Sequence, residues 1–285
     1  MLAYYYSIGG KDVGRLNVMD IESGEIIDTM EGSISKVLFL EGGRYYYVRL
    51  YRSGKCPDGV SAPCARVFLR DSGKDETVFG YGVGTSNFIT LKSSSDRSKA
   101  LINVTYGWRS STLYLGDLMR PNTWVRIYGG DHMYHPIDYI DGCLAVRAYD
   151  RGGMGRIICV REDVREVVPE SREYMDSAAT LGDKIASIYI DPDYYFEKIY
   201  FYDLKGNRLG IYVPEYPSSI YVYVDQAYSG ELIVELTSFV QRYRVVRISS
   251  NLEAMVIKES GFIRTSWWSM DTQDLTMALG YITLS

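Results

Sequence analysis

The chain has 285 residues, 46% of them hydrophobic and 24% charged, with a formal net charge of −5. That balance places it among ordinary soluble globular proteins, long enough to bury a large core. The acidic balance, with no dense Lys/Arg stripe, argues against a nucleic-acid partner, and no run approaches the 18 apolar residues of a membrane helix.

The N-terminus, MLAYYYSIGGKD, has no basic start, long apolar stretch or small-residue cleavage site, so a cytoplasmic location is expected. Tyrosine is over-used, at 27 residues against 8 Phe. It favours strands and tolerates a half-wet position. Asn and Gln are scarce, which leans toward a thermophilic source.

Helical periodicity is almost absent along the chain. Runs of four to eight residues rich in Val, Ile, Tyr and Leu recur instead, each followed by a Gly-, Asp- or Ser-containing turn, which is a strand-and-hairpin signal. One element returns six times: RLNVMDIESGEIID, ARVFLRDSGKDETVF, STLYLGDLMRPNTWVRIY, GRIICVREDVREVV, EKIYFYDLKGNRLGIYV and QRYRVVRISSNLEAMVI. Its strand-end positions are Asp20, Asp71, Asp117, Arg161, Asp203 and Arg247, separated by 51, 46, 44, 42 and 44 residues. A period of about 40–50 residues with four strands per repeat marks propeller blades.

The expected fold is therefore all-β, a β-propeller of four-stranded antiparallel blades forming a single domain over 1–285. Six repeats lie near 2–30, 33–80, 85–129, 134–169, 174–214 and 217–258, with a tail at 259–285, giving six or seven blades. Within a repeat the first strand lines a central channel, the second and third are buried between neighbouring blades, and the fourth faces outward. LAYYYSI reads as a second strand, so the first repeat lacks its inner strand, and the tail could supply it and close the ring.

Four cysteines, Cys56, Cys64, Cys143 and Cys159, form no CxxC pair, so a zinc or thioredoxin-like motif has no support. Cys56 and Cys64 share one loop and could be bridged or free. Cys143 and Cys159 lie in strand-like stretches and read as small buried apolar groups.

Candidate chemistry is sparse. His132 and His135 in GGDHMYHPIDY have an H-x-x-H spacing but no evident further ligand, and read as a solvated loop pair. Asp20, Asp71, Asp117 and Asp203 could do acid–base work, but their position at strand ends favours acceptance of turn N–H groups. GYGVGTS suggests a phosphate-cradling loop, yet no Lys and no helix follow it. The tyrosine runs Tyr4–Tyr6, Tyr45–Tyr47 and Tyr194–Tyr195, like Trp267 and Trp268, read as packing. No nucleophile elbow G-x-S-x-G is present. No catalytic, cofactor or metal residue is assigned, although Asp138, Asp176 and Asp225 are placed to contribute if a channel-mouth metal site exists.

Several segments resemble the propeller of prolyl oligopeptidase-family serine peptidases, archaeal type. The most specific are Thr105-Tyr106-Gly107-Trp108 and Tyr114-Leu115-Gly116-Asp117-Leu118. PIDYIDG at Pro136–Gly142, VVPE at Val167–Glu170, YFYDLKGNRLG at Tyr200–Gly210 and Leu236-Thr237-Ser238-Phe239 follow in the family's order, covering about residues 2–257. The resemblance implies a non-catalytic propeller that gates access of short peptides to an α/β-hydrolase domain carrying the Ser, Asp and His of a triad. None of those three has a position here. The other reading is a stand-alone propeller acting as a protein or peptide interaction scaffold. Expected partners are a hydrolase domain or chain, short peptides, and a second copy joined through an open blade edge.

Overall fold

The structure, a computed structural model, describes residues 1–223 and 230–261. The chain is all-β and builds a propeller of four-stranded antiparallel blades. None of the helices among the described residues is long and apolar enough to cross a membrane.

The first sheet runs β1 (Leu2–Tyr6), β2 (Gly14–Met19), β3 (Ile26–Phe39), β4 (Tyr45–Tyr51), β5 (Cys64–Asp71) and β6 (Lys74–Phe79) in order. Then come β7 (Asn87–Ser93) to β10 (Val125–Gly130), with β8 (Lys99–Tyr106) and β9 (Ser110–Asp117) between them. The next blade holds β11 (Tyr134–Ile140), β12 (Cys143–Ala148), β13 (Arg156–Val160) and β14 (Val164–Val168). It is followed by β15 (Tyr174–Leu181), β16 (Lys184–Ile190), β17 (Glu197–Tyr202) and β18 (Arg208–Tyr212). The last comprises β19 (Ser219–Val222), β20 (Leu232–Thr237), β21 (Arg244–Ile248) and β22 (Ala254–Glu259).

Five blades, not six or seven, are present among the described residues. The discrepancy lies in β3. Its first half pairs with β2 through Gly14↔Gly32, and its second half pairs with β4 from Ser33↔Leu50 onward. The first repeat is therefore three strands fused to the following blade by one unbroken strand. Between Ile26 and Phe39 the chain offers no turn pair; Gly32, at φ 139°, absorbs the change of sheet direction without ending the strand. Any inner strand from the tail would fall outside the described residues, as do Trp267, Trp268 and Asp225.

The middle strand β8 is apolar on both faces because its blade is packed between two neighbours. In β8, Ala100, Ile102 and Val104 join Val48 and Val67 of the preceding blade, while Leu101 joins Leu144, Val146 and Ile158 of the following one. Alternation is lost there for the same reason it is lost in sheets covered on both sides. Fourth strands keep it only weakly, and β22 is exposed along its whole length.

By contacts the chain divides into two compact units, Met1–Gly152 with Arg156–Pro169, and Gly153–Gly155 with Glu170 onward. The first contains the clusters just named and another built on Leu16, Val18, Tyr45, Tyr47 and Phe68. The second is centred on Ile188, Ile199, Phe201, Val234 and Val246.

Both cysteine pairs are bridged. Cys56–Cys64 closes the loop between β4 and β5. Cys143–Cys159 corrects the expectation of two free apolar groups: Ala145 faces Cys159 in the β12–β13 register, so Cys143 sits diagonally opposite on the same face, with its Cα 5.5 Å from that of Cys159.

A core truncation separates packed from peripheral strands. Ile158→Ala, fully buried between blades, should lower stability by about 2–5 kcal/mol. Ile257→Ala on β22, 47% exposed, should change it by less than about 0.5 kcal/mol. Thermal unfolding of the two variants checks the contrast.

Candidate functional site

In each blade the connections between second and third strands leave at one end, and those between first and second at the other. The first end carries the polar network with the deepest burial. Strand three of almost every repeat opens with a cation there: Arg15, Arg66, Arg156, Lys198 and Arg244, with Ser111 at the equivalent place in β9. The spacing follows the repeat, but the pattern is not visible in the strand-end alignment, which marks the other end of the same strand.

Each cation meets a carboxylate from the loop before its strand, from the neighbouring fourth strand or from the connection between successive repeats. The Arg66 side chain is fully buried and grips Asp58 bidentately at 2.8 Å, while Asp58 also accepts the Gly82 N–H at 2.8 Å. Arg156 holds Asp150 at 2.7 Å and Glu166 at 2.9 Å. Lys198 reaches Glu173 at 2.6 Å and Asp191 at 3.0 Å. Arg244 pairs with Glu215 at 2.9 Å and, more loosely, with Glu259 at 3.2 Å. In β9, where the cation is replaced, the Ser111 hydroxyl donates to the Tyr134 carbonyl and accepts its N–H.

These pairs set the local proton affinities. The Arg66 guanidinium holds the Asp58 carboxyl below its ordinary range, and Arg156 does the same for Asp150. Burial pulls the Lys198 ammonium down, but its hydrogen bonds to Glu173 and Asp191 outweigh that and raise it.

The residues singled out from sequence are scattered. Asp20 accepts the N–H groups of Glu22 and Ser23, Asp117 that of Met119, and Asp203 those of Lys205 and Asn207. Asp71 accepts the Ser72 hydroxyl. Arg161 donates to the Asp141 carbonyl, and Arg247 lies 3.6 Å from Glu231. Asp138, 2% exposed, accepts the N–H groups of Ser95 and Tyr139, whereas Asp176 is exposed. The Gly-rich loop Gly80–Ser86 directs its Gly82 N–H at Asp58, so the carboxylate fills the position an anion would take.

His132 and His135 part company. His132 gives its carbonyl to the Ser111 N–H, while the His135 ring packs edge-on against Tyr149 at 6.0 Å. The expected solvated pair is thus half wrong: burial, aided by the Arg147 charge, brings the pKa of His135 down to about 4. Among the described residues no group of three or more His, Cys, Asp and Glu could hold a metal.

Tyr45, Tyr46 and Tyr47 are buried, as expected of packing groups. Tyr194 and Tyr195 are not. They stand 64% and 77% exposed beside a shallow groove of about 130 Å³, lined also by Phe196, Tyr216, Pro217 and Phe239. Sequence reasoning missed this groove because its three walls come from connections far apart in the chain.

No protein-family model and no curated protein sequence matches the chain. Solved structures do. A prolyl endopeptidase from a study of inter-domain dynamics is 16% identical with a TM-score of 0.78, over 92% of this chain and 41% of that one. Prolyl oligopeptidase B from Galerina marginata is 13% identical with a TM-score of 0.75, over 95% and 42%. Oligopeptidase B from Leishmania major is 13% identical with a TM-score of 0.71, over 91% and 39%. The chain spans about two fifths of each, and at such identities the likeness is one of fold.

Two outcomes test the electrostatics. Asp58→Ala strands a buried guanidinium and should cost about 3–5 kcal/mol, whereas Arg15→Ala, whose pair with Glu31 is solvent-exposed, should leave the unfolding midpoint nearly unchanged; denaturant unfolding reads both. For His135, the unfolded chain binds a proton from pH 6.5 downward while the folded chain resists until about 4. Stability should therefore fall as pH drops through that window, and His135→Gln should flatten that part of the pH–stability curve. An unchanged slope in the variant would show that His135 is not the group responsible.

Proposed function

We propose that the chain is the non-catalytic propeller of a prolyl oligopeptidase-like serine peptidase, and that it restricts the access of short peptides to an α/β-hydrolase domain lying outside residues 1–285. The observation that carries this reading is the extent of the likeness. Three peptidase structures superpose on more than nine tenths of the chain, while the chain accounts for only about two fifths of theirs. The colinear motifs from Thr105 to Phe239 support the same parentage. In this reading the propeller contributes no reacting group: it excludes folded proteins by size, and the hydrolase supplies nucleophile, acid and base. A cytoplasmic setting with both disulfides formed goes with a hyperthermophilic source, where intracellular bridges are common.

A second reading, an interaction scaffold, draws on the aromatic groove. Tyr194, Tyr195 and Phe239, each more than 60% exposed, form an apolar patch of the kind partners cover. A second copy could instead pair along β1, whose outer edge has no strand beside it among the described residues.

The deciding assay is hydrolysis of a short proline-containing chromogenic peptide by the chain alone and with the neighbouring open reading frames co-expressed. We expect no turnover alone and turnover with a hydrolase partner. Inactivity in both arms, with a stable non-hydrolase partner recovered by pull-down, would overturn the gating reading in favour of the scaffold.

A further inference from the structure

The connection between β4 and β5, residues 52–63, is the longest between second and third strands in the described blades. It folds back on itself. The Cys56 N–H donates to the Val60 carbonyl, the Gly59 N–H to the Cys56 carbonyl, and the Ala62 N–H to the Gly54 carbonyl, while Lys55 faces Ser61 across a single bridge. This small hairpin carries Asp58 at its tip. From there Asp58 spans to the Arg66 guanidinium and the Gly82 N–H, and Arg66 in turn donates to the Val83 carbonyl. One carboxylate thus ties the loop, the third strand and the glycine-rich connection Gly80–Ser86 together.

The Cys56–Cys64 bridge fixes the base of the hairpin to the first residue of β5, two positions before Arg66. Cys56 is 3% exposed and Cys64 is fully buried. A thiolate must approach a sulfur to break the bond, so the loop has to lift first, and lifting it separates Asp58 from Arg66 and Gly82. Conversely, an intact bridge limits how far Asp58 can retreat.

We propose that the Cys56–Cys64 disulfide and the Asp58–Arg66 ion pair form one redox-sensitive latch that holds the loop 52–63 against the Gly80–Ser86 connection. Opening consumes a dithiol: its thiolate attacks one sulfur, the Cys56–Cys64 bond breaks through a mixed disulfide, and the second thiol closes a new disulfide on the reductant. Two electrons and two protons pass to Cys56 and Cys64. Because both elements act on the same loop movement, their coupling is reciprocal at equilibrium: weakening the ion pair favours reduction, and reduction loosens the ion pair. The faster reduction of a weakened latch follows separately, from more frequent lifting of the loop that exposes the sulfurs. The second bridge, Cys143–Cys159, ties neighbouring strands β12 and β13 and serves as an internal control.

The test uses the full chain. Dithiothreitol is added to the folded protein and each disulfide is followed by alkylation and mass spectrometry, while trypsin reports cleavage after Lys55. The expected results are at least a tenfold faster cleavage after Lys55 once Cys56–Cys64 is reduced. Asp58→Asn should make that bridge reduce at least tenfold faster, with the rate at Cys143–Cys159 unchanged. The Cys56→Ser/Cys64→Ser chain should show the fast cleavage without reductant. Equal cleavage within twofold in oxidised and reduced protein, or a Cys56–Cys64 bridge inert to dithiothreitol in the folded chain, overturns the latch. Should Asp58→Asn not fold, the comparison of oxidised and reduced wild-type protein still decides it.

Discussion

Where a cation opens the third strand of a repeat and packing removes water from it, a carboxylate has to match it. Arg66 shows the limit: no part of its side chain is exposed, and the Asp58 side chain that answers it is only 12% exposed. Arg156 and Lys198 are nearly as dry, at 11% each. At the two ends of the described chain the constraint relaxes. Glu31 is 73% exposed opposite Arg15, and Glu215 is 61% exposed opposite Arg244. A buried ion pair adds little net stability over an apolar pair of similar volume, but breaking one is costly. The pairs therefore act as geometric constraints on the loops that carry the carboxylates.

That constraint accounts for the fate of the candidate chemistry. The loop Gly80–Ser86 offers a backbone N–H of the sort that cradles anions, yet Asp58 already occupies it. Asp20, Asp117 and Asp203 accept N–H groups from their own turns and Asp71 accepts the Ser72 hydroxyl, as short side chains at such positions do. Asp138 is sealed beneath Ser95 and Tyr139. Around Tyr194, Tyr195 and Phe239 the described surface is open, aromatic and apolar.

The repeat was legible because each blade is a run of local hairpins, and local hairpins leave a local record of apolar runs broken by turns. Its count was not. The turn that would separate the first two repeats is absent, and the distinction between two strands and one strand serving two sheets rests on the pairing of Gly32 and Ser33 with different neighbours. Cys143 and Cys159 were misread for a related reason, since residues sixteen apart become diagonal neighbours only once the β12–β13 register is set. His135 was misread because the burial of a ring depends on what packs over it.

The sequence by itself determined the strand-rich class, the period near 45 residues, the turn-capping aspartates and the segments resembling peptidase propellers, all of which depend on neighbours within a few residues or on repetition along the chain. Only the tertiary structure decided the five blades of the described residues, the two bridges, the ion-paired cations at the start of most third strands and the aromatic groove. Each of these needs groups from different strands or loops to meet, and in a pleated sheet a shift of one residue in register would send every side chain to the opposite face.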